Sequence, residues 1–245
     1  MREITGDSIA KSGLKIMLKC IVAVFMCFIV FVSLFFVCNY IFTNNIGYDV
    51  YVFDEETQQY VLEYTHRYED SAVDEKLTAL EASGAYYRKI DVRSELDGFE
   101  YYATAVITQL FSLIILFSLI YIDMWKIGDR ERNLAEFGHI KPDEYKGLKI
   151  GAFASIPFAV LYVMLILCKL GVLPENFYSI YRVLNSHIFM VLTAILGAEP
   201  TLASAGWLSI AVCVLFLSIV PIMCQIGYSF GAKGILIKEK LIYKS

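Results

Sequence analysis

The sequence predicts an all-α membrane bundle of four transmembrane helices. A small α+β extracytoplasmic domain lies between helices 1 and 2, and an amphipathic outer helix between helices 3 and 4. Three observations predict it. Four apolar runs, Ile16–Phe42, Ala103–Ile122, Ile150–Leu170 and Ala205–Tyr228, each continue for about 20 residues or more without a carboxylate, the length a helix needs to cross a bilayer. The segments between them differ sharply in charge. The 245 residues are 58% hydrophobic, with a mean hydropathy of +0.58, more than a soluble domain of this size can bury.

The first run follows a charged leader, residues 1–15, that holds Arg2, Lys11 and Lys15, with Lys19 just inside the run. Its apolar stretch exceeds the roughly 7–15 residues of a secretory signal, and no small-x-small cleavage site follows, so it reads as an uncleaved membrane helix. Cationic residues then orient the chain. Residues 123–149 carry Lys126, Arg130, Arg132, Lys141, Lys146 and Lys149, and residues 229–245 carry four lysines. By contrast, residues 43–102 have a net charge of −9, and residues 171–204 contain only Arg182 as a cation. Basic segments stay cytoplasmic, so both termini are expected inside and the two weakly basic loops outside. All six cysteines fall in or beside the apolar runs and there is no N-x-S/T sequon, which favours a bacterial plasma membrane.

Within residues 43–102, Tyr48–Phe53 and Tyr60–Tyr64 are aromatic and β-branched around a polar connection and predict a hairpin. Asp70–Ala82 has helical apolar spacing, and Tyr86–Val92 is expected to return as a third strand. Acidity and nine tyrosines make this domain the candidate partner surface, with Tyr51, Tyr60 and Tyr64 as its contacts. Phe177–Gly197 places Ile180, Tyr181, Leu184, Ile188, Val191 and Ile195 on one helical face, hence the outer interfacial helix. Arg182, Asn185 and His187 on it are candidates for binding a ligand.

Inside the spans, Gln109 and Gln225 are expected to bond between helices, though not to each other. Pro157 and Pro221 should bend the third and fourth spans. Gly147-x-x-x-Gly151 and Gly227-x-x-x-Gly231 permit close helix contact, between these two spans or with another protomer. Residues 123–149 read as a solvated, ion-paired loop, with Trp125, Lys126, Lys146 and Lys149 anchoring it to headgroups.

No phosphate loop, dinucleotide fingerprint, serine elbow or metal-ligand spacing is present, so no catalytic residue, cofactor or metal is assigned, and nucleic acid is not expected as a partner. The expected function is a non-enzymatic accessory, sensory or assembly subunit, in contact with the bilayer and with a protein partner or a second copy. The alternatives are an oligomeric channel or transporter subunit, and a membrane enzyme with an outer-interface site.

Overall fold

The computed structural model describes residues 8–54, 57, 59–67, 78, 80–82, 84–141, 143–199, 201–202 and 204–235. The protein is mostly helical with one small antiparallel sheet. In chain order come α1 (Ile9–Phe42), β1 (Asn45–Asp54), β2 (Gln59–Arg67), β3 (Tyr87–Arg93), α2 (Gly98–Glu136), α3 (Lys146–Ala154) and α4 (Ile156–Lys169). There follow α5 (Phe177–Leu184), a 3₁₀ turn (Ser186–Ile188), α6 (Phe189–Leu196), α7 (Trp207–Val212), a 3₁₀ stretch (Cys213–Ser218) and α8 (Ile219–Ala232). Two compact units result: Met1–Ser33 with Ala105–Ser245, and Leu34–Thr104.

Among the described residues, three helical stretches are long and apolar enough to cross a membrane: α1, α2 and the continuous run Trp207–Ala232. Two bent pairs pass the same test, α3 with α4 at 48° and α5 with the segment Ser186–Leu196 at 83°, which allows up to five. Large apolar side chains such as Phe25, Ile29, Ile114 and Leu208 stand exposed on these helices, as they do where lipid tails are the solvent.

The third apolar run, read as one span, is broken at Ser155. Pro157 has no N–H, so the carbonyl of Phe153 loses its helical partner and the axis turns there. Ser155 steadies the break by donating its hydroxyl to the Gly151 carbonyl at 2.9 Å. Pro221 acts more gently: the 3₁₀ stretch lies just before it, and helix resumes around it as α8.

Glycine sets how closely the larger unit packs. A methyl group on Gly147 would come within 2.7 Å of Gln225 Cα, and one on Gly151 within 2.5 Å of Pro221 Cα, so α3 and α8 touch backbone to backbone. Gly227 and Gly231 serve a different contact. They face α2, where Gly227 abuts Met124 and Gly231 lies against the Trp125 carbonyl, while Gly128 of α2 meets the Tyr228 carbonyl in return. Thus α8 is gripped on two sides. Ile120, Met124, Ile150, Val220 and Cys224 fill the core between these helices, and Tyr178, Tyr181, Leu165, Leu192 and Ile210 fill a second one.

The second apolar run differs from expectation at its end. Helix α2 continues to Glu136, well past Ile122, so the residues read as a loop from 123 are largely helical and the true connection is short. Likewise, residues 177–197 do not form one amphipathic helix. The small polar triplet Asn185-Ser186-His187 interrupts it, and the two legs part at 83°.

In the smaller unit the strand order is β2-β1-β3, all antiparallel, with the hairpin and the returning third strand where the alternation places them. The register slips between Val50 and Tyr51, a bulge that leaves Glu63 without an opposite residue. Of the helix read over 70–82, residues 78 and 80–82 are described, as helix, and the rest lies outside the described residues. Arg93 fastens β3 to the end of α1: its guanidinium donates to the carbonyls of Tyr40 and Thr43, both at 3.1 Å, and lies over the Tyr40 ring. Those carbonyls belong to a helix terminus that has no further turn to bond them.

Gly231→Ala should lower the detergent melting temperature by about 5 °C or more, the effect of about 1–3 kcal/mol of overpacking. Gly206→Ala, whose added methyl meets open space, should lower it far less, by no more than the small loss of a helix N-cap glycine. Equal melting of the two variants would contradict the backbone contact described here.

Candidate functional site: a polar turn among the helices

The interrupted segment α5–α6 brings polar groups into the interior of the larger unit. Asn185, Ser186 and His187 are all buried. A helix broken in a water-poor setting leaves amides and carbonyls that must find partners, and side chains of α2 and of the turn itself supply them. Ser186 donates its hydroxyl to the Val24 carbonyl of α1 at 2.8 Å. Gln109 of α2 donates its amide to the His187 carbonyl and accepts from the Met190 amide, bridging the break from both sides. The Asn185 side chain caps its own helix by donating to the Tyr181 carbonyl at 2.9 Å. Phe158 of α4 meets the His187 ring edge-on, with centroids 5.4 Å apart. His187 Nδ1 is buried without a hydrogen bond among the described residues.

Arg182 does not join this cluster. Its guanidinium donates to the Ala198 carbonyl and lies over Tyr178 and Phe189, binding the two legs to each other. Tyr178 does the same, donating its hydroxyl to the Gly197 carbonyl at 2.6 Å, so the open side of the bend is closed. The trio Arg182, Asn185 and His187 therefore divides between two tasks, joining the legs and seating the turn.

At the opposite end of the unit a buried charge cluster replaces the solvated loop that the sequence suggests. Lys146 of α3 forms an ion pair with Glu131 of α2, and both are almost wholly buried. Tyr228 of α8 donates its hydroxyl to the second Glu131 oxygen at 2.9 Å. One carboxylate thus ties three helices together. Asp123, also buried, receives Lys15 at 3.1 Å and Lys19 at 2.8 Å from α1. These pairs escaped the sequence reading because the run of alternating charges around Glu131 looks solvated until α2 is seen to continue and turn one edge inward. Lys146 is consequently not free to anchor headgroups, and the Trp125 indole N–H donates to the Ile235 carbonyl.

Gln225 also bonds between helices, accepting from the Leu148 amide and donating to the Glu144 carbonyl and to Ser229 Oγ. It makes no bond to Gln109. Outside the helices, a hydrogen bond from Lys149 holds the Asp143 carboxyl below its ordinary pKa. With the folded value the lower one, this pair's stabilisation is complete above about pH 4 and fades as the pH falls through the folded pKa.

In the sheet, Tyr51 stands opposite Leu62, and Phe53 opposite Tyr60, so these four side chains share one face. Tyr60 packs edge-on against Phe53 at 5.3 Å. The backbone of Tyr64 lies opposite Val50, on the far side of the bulge. Tyr51 and Tyr60 therefore converge, far along the chain from the polar turn. No group of three or more His, Cys, Asp or Glu residues able to hold a metal occurs among the described residues.

No protein-family model, curated protein or solved structure matches the chain.

Glu131→Leu alone should destabilise the protein strongly, by about 3–5 kcal/mol, because it leaves Lys146 charged and buried. Pairing it with Lys146→Met should restore most of the loss. Thermal melts of the single and double variants in detergent check this; strictly additive losses would contradict a coupled pair.

Proposed function

We propose that the chain is a non-enzymatic multi-pass membrane protein, an accessory, sensory or assembly subunit that engages a protein partner through its outer sheet. The observation that carries this reading is the edge strand β2. Among the described residues it pairs only with β1, and its consecutive residues Tyr60, Val61 and Leu62 are each about half exposed. An apolar edge strand is the kind of surface to which another chain adds. The shared face of Tyr51, Tyr60 and Leu62 offers aromatic anchors beside that edge.

Charge and geometry together favour four crossings, α1, α2, α3–α4 and the run Trp207–Ala232, with both chain ends cytoplasmic in a bacterial plasma membrane. The pair α5–α6 supports an even count, because Tyr178 and Arg182 bond its beginning to Gly197 and Ala198 at its end. A segment closed on itself in this way dips into the bilayer and returns. Gln109, which meets the turn, lies fourteen residues before Asp123, roughly 21 Å of helix rise, within the hydrocarbon thickness of about 30 Å.

The buried turn favours a second reading, an oligomeric channel or transporter subunit, since interrupted helices with polar turns recur where solutes cross.

Three measurements test the crossings and these readings. A topology reporter fused after Ser245 should report cytoplasm; an external signal would remove the four-crossing arrangement. A photocrosslinking residue at Val61 should give a discrete protein adduct in cells, absent when the residue is placed instead at Ile114; identical smears from both positions would count against the edge-strand interface. Purified protein in liposomes should show no solute flux, and flux that disappears with Gln109→Leu would transfer the assignment to the transport reading.

A further inference from the structure

A lateral cavity of about 320 Å³ lies between α1, α4 and the end of α5. Its walls are Cys20, Val24 and Phe25 from α1, Pro157 and Leu161 from α4, and Leu184 from α5. The bend at Ser155 explains why it exists. Below it, Gly13 of α1 lies directly against Phe153 of α3, so the two helices are in contact. Beyond Pro157 the axis turns by 48°, and a space remains beside Phe158 and Leu161.

Two features distinguish this space from an ordinary lipid-facing dimple. Its inner wall belongs to the core: Cys20, Val24 and Phe158 are all less than a tenth exposed. Its rim belongs to the outer surface: Ile21, Phe25 and Val160 also line it and are roughly half exposed. The opening is therefore sideways, between helices whose outer faces are apolar. The volume holds about ten water-sized groups, yet water would find almost no polar partner there. A hydrocarbon chain meets every wall favourably.

We propose that this cavity is a binding site for one acyl chain of a bilayer phospholipid. The proposal rests on the reading of these helices as membrane-crossing, and it names a ligand for the sensory version of that reading. The site adjoins the polar turn through shared residues. Val24 lines the cavity and accepts the Ser186 hydrogen bond, and Phe158 lines it and packs on the His187 ring. An inserted chain would thus contact Val24, whose backbone carbonyl holds Ser186, and Phe158, whose ring packs on His187.

The test uses full-length protein in vesicles of phosphatidylethanolamine and phosphatidylglycerol. A trace of phosphatidylcholine carries a diazirine in the middle of one acyl chain, and adducts are mapped by mass spectrometry. Adducts at Val24, Phe158 and Leu161 are expected at about fivefold the yield at Ile114, the ratio that about 1 kcal/mol of preferred occupancy gives. Leu161→Trp, which fills the space, should bring the yield at Val24 and Phe158 down to that at Ile114. If that variant does not purify, Ile21→Trp at the rim makes the same test. Equal yields at the cavity and at Ile114, or yields indifferent to the tryptophan, would overturn the site and leave only annular lipid. No adduct at Ile114 or the cavity would overturn the membrane reading itself.

Discussion

A helix interrupted where water is scarce must have its freed backbone groups satisfied by neighbouring chain, and much of the larger unit follows from that requirement. The break at Asn185–His187 exposes carbonyls and amides that a continuous helix would have used internally. Gln109 from α2 answers two of them, and the Ser186 hydroxyl finds the Val24 carbonyl on α1. These bonds fix α1, α2 and the turn in mutual register. Removing the break would remove the reason for a glutamine in the middle of an otherwise apolar stretch of α2.

The opposite end of the unit is held by charge instead. Glu131, Lys146 and Tyr228 bring one side chain each from α2, α3 and α8 to a common point, and the glycines of α3, α8 and α2 let the backbones approach closely enough for them to meet. Neither device stands alone. Without the close glycine contacts the ion pair would lie open to solvent and contribute little; with them it is buried, and loss of either partner leaves an unpaired charge.

Much of this was legible in the residues. The lengths of the apolar runs marked the helices, alternation and aromatic content marked all three strands, and Pro157 marked the bend. What could not be read was which side of each helix turns inward. Charges at Asp129–Arg132 carry the same local pattern whether the helix ends at Ile122 or at Glu136, and only α8 against α2 decides that Glu131 is enclosed. The segment 177–197 misled for a related reason. Its apolar spacing is helical on both sides of Asn185, so periodicity alone reports one helix, while the break depends on partners more than seventy residues away in sequence. The glycine pairs signalled close approach but not the neighbour, and Gly227 and Gly231 turned to α2 instead of α3.

All six thiols are buried: Cys20, Cys27 and Cys38 on α1, Cys168 on α4, Cys213 in the 3₁₀ stretch and Cys224 on α8. A reagent that alkylates only exposed thiols can react with each of them only while its surroundings are open. The rate at each cysteine therefore measures the opening equilibrium of the element that covers it. The native chain already carries six reporters of local stability, distributed along three of its membrane-length segments, with no engineered label needed to read them.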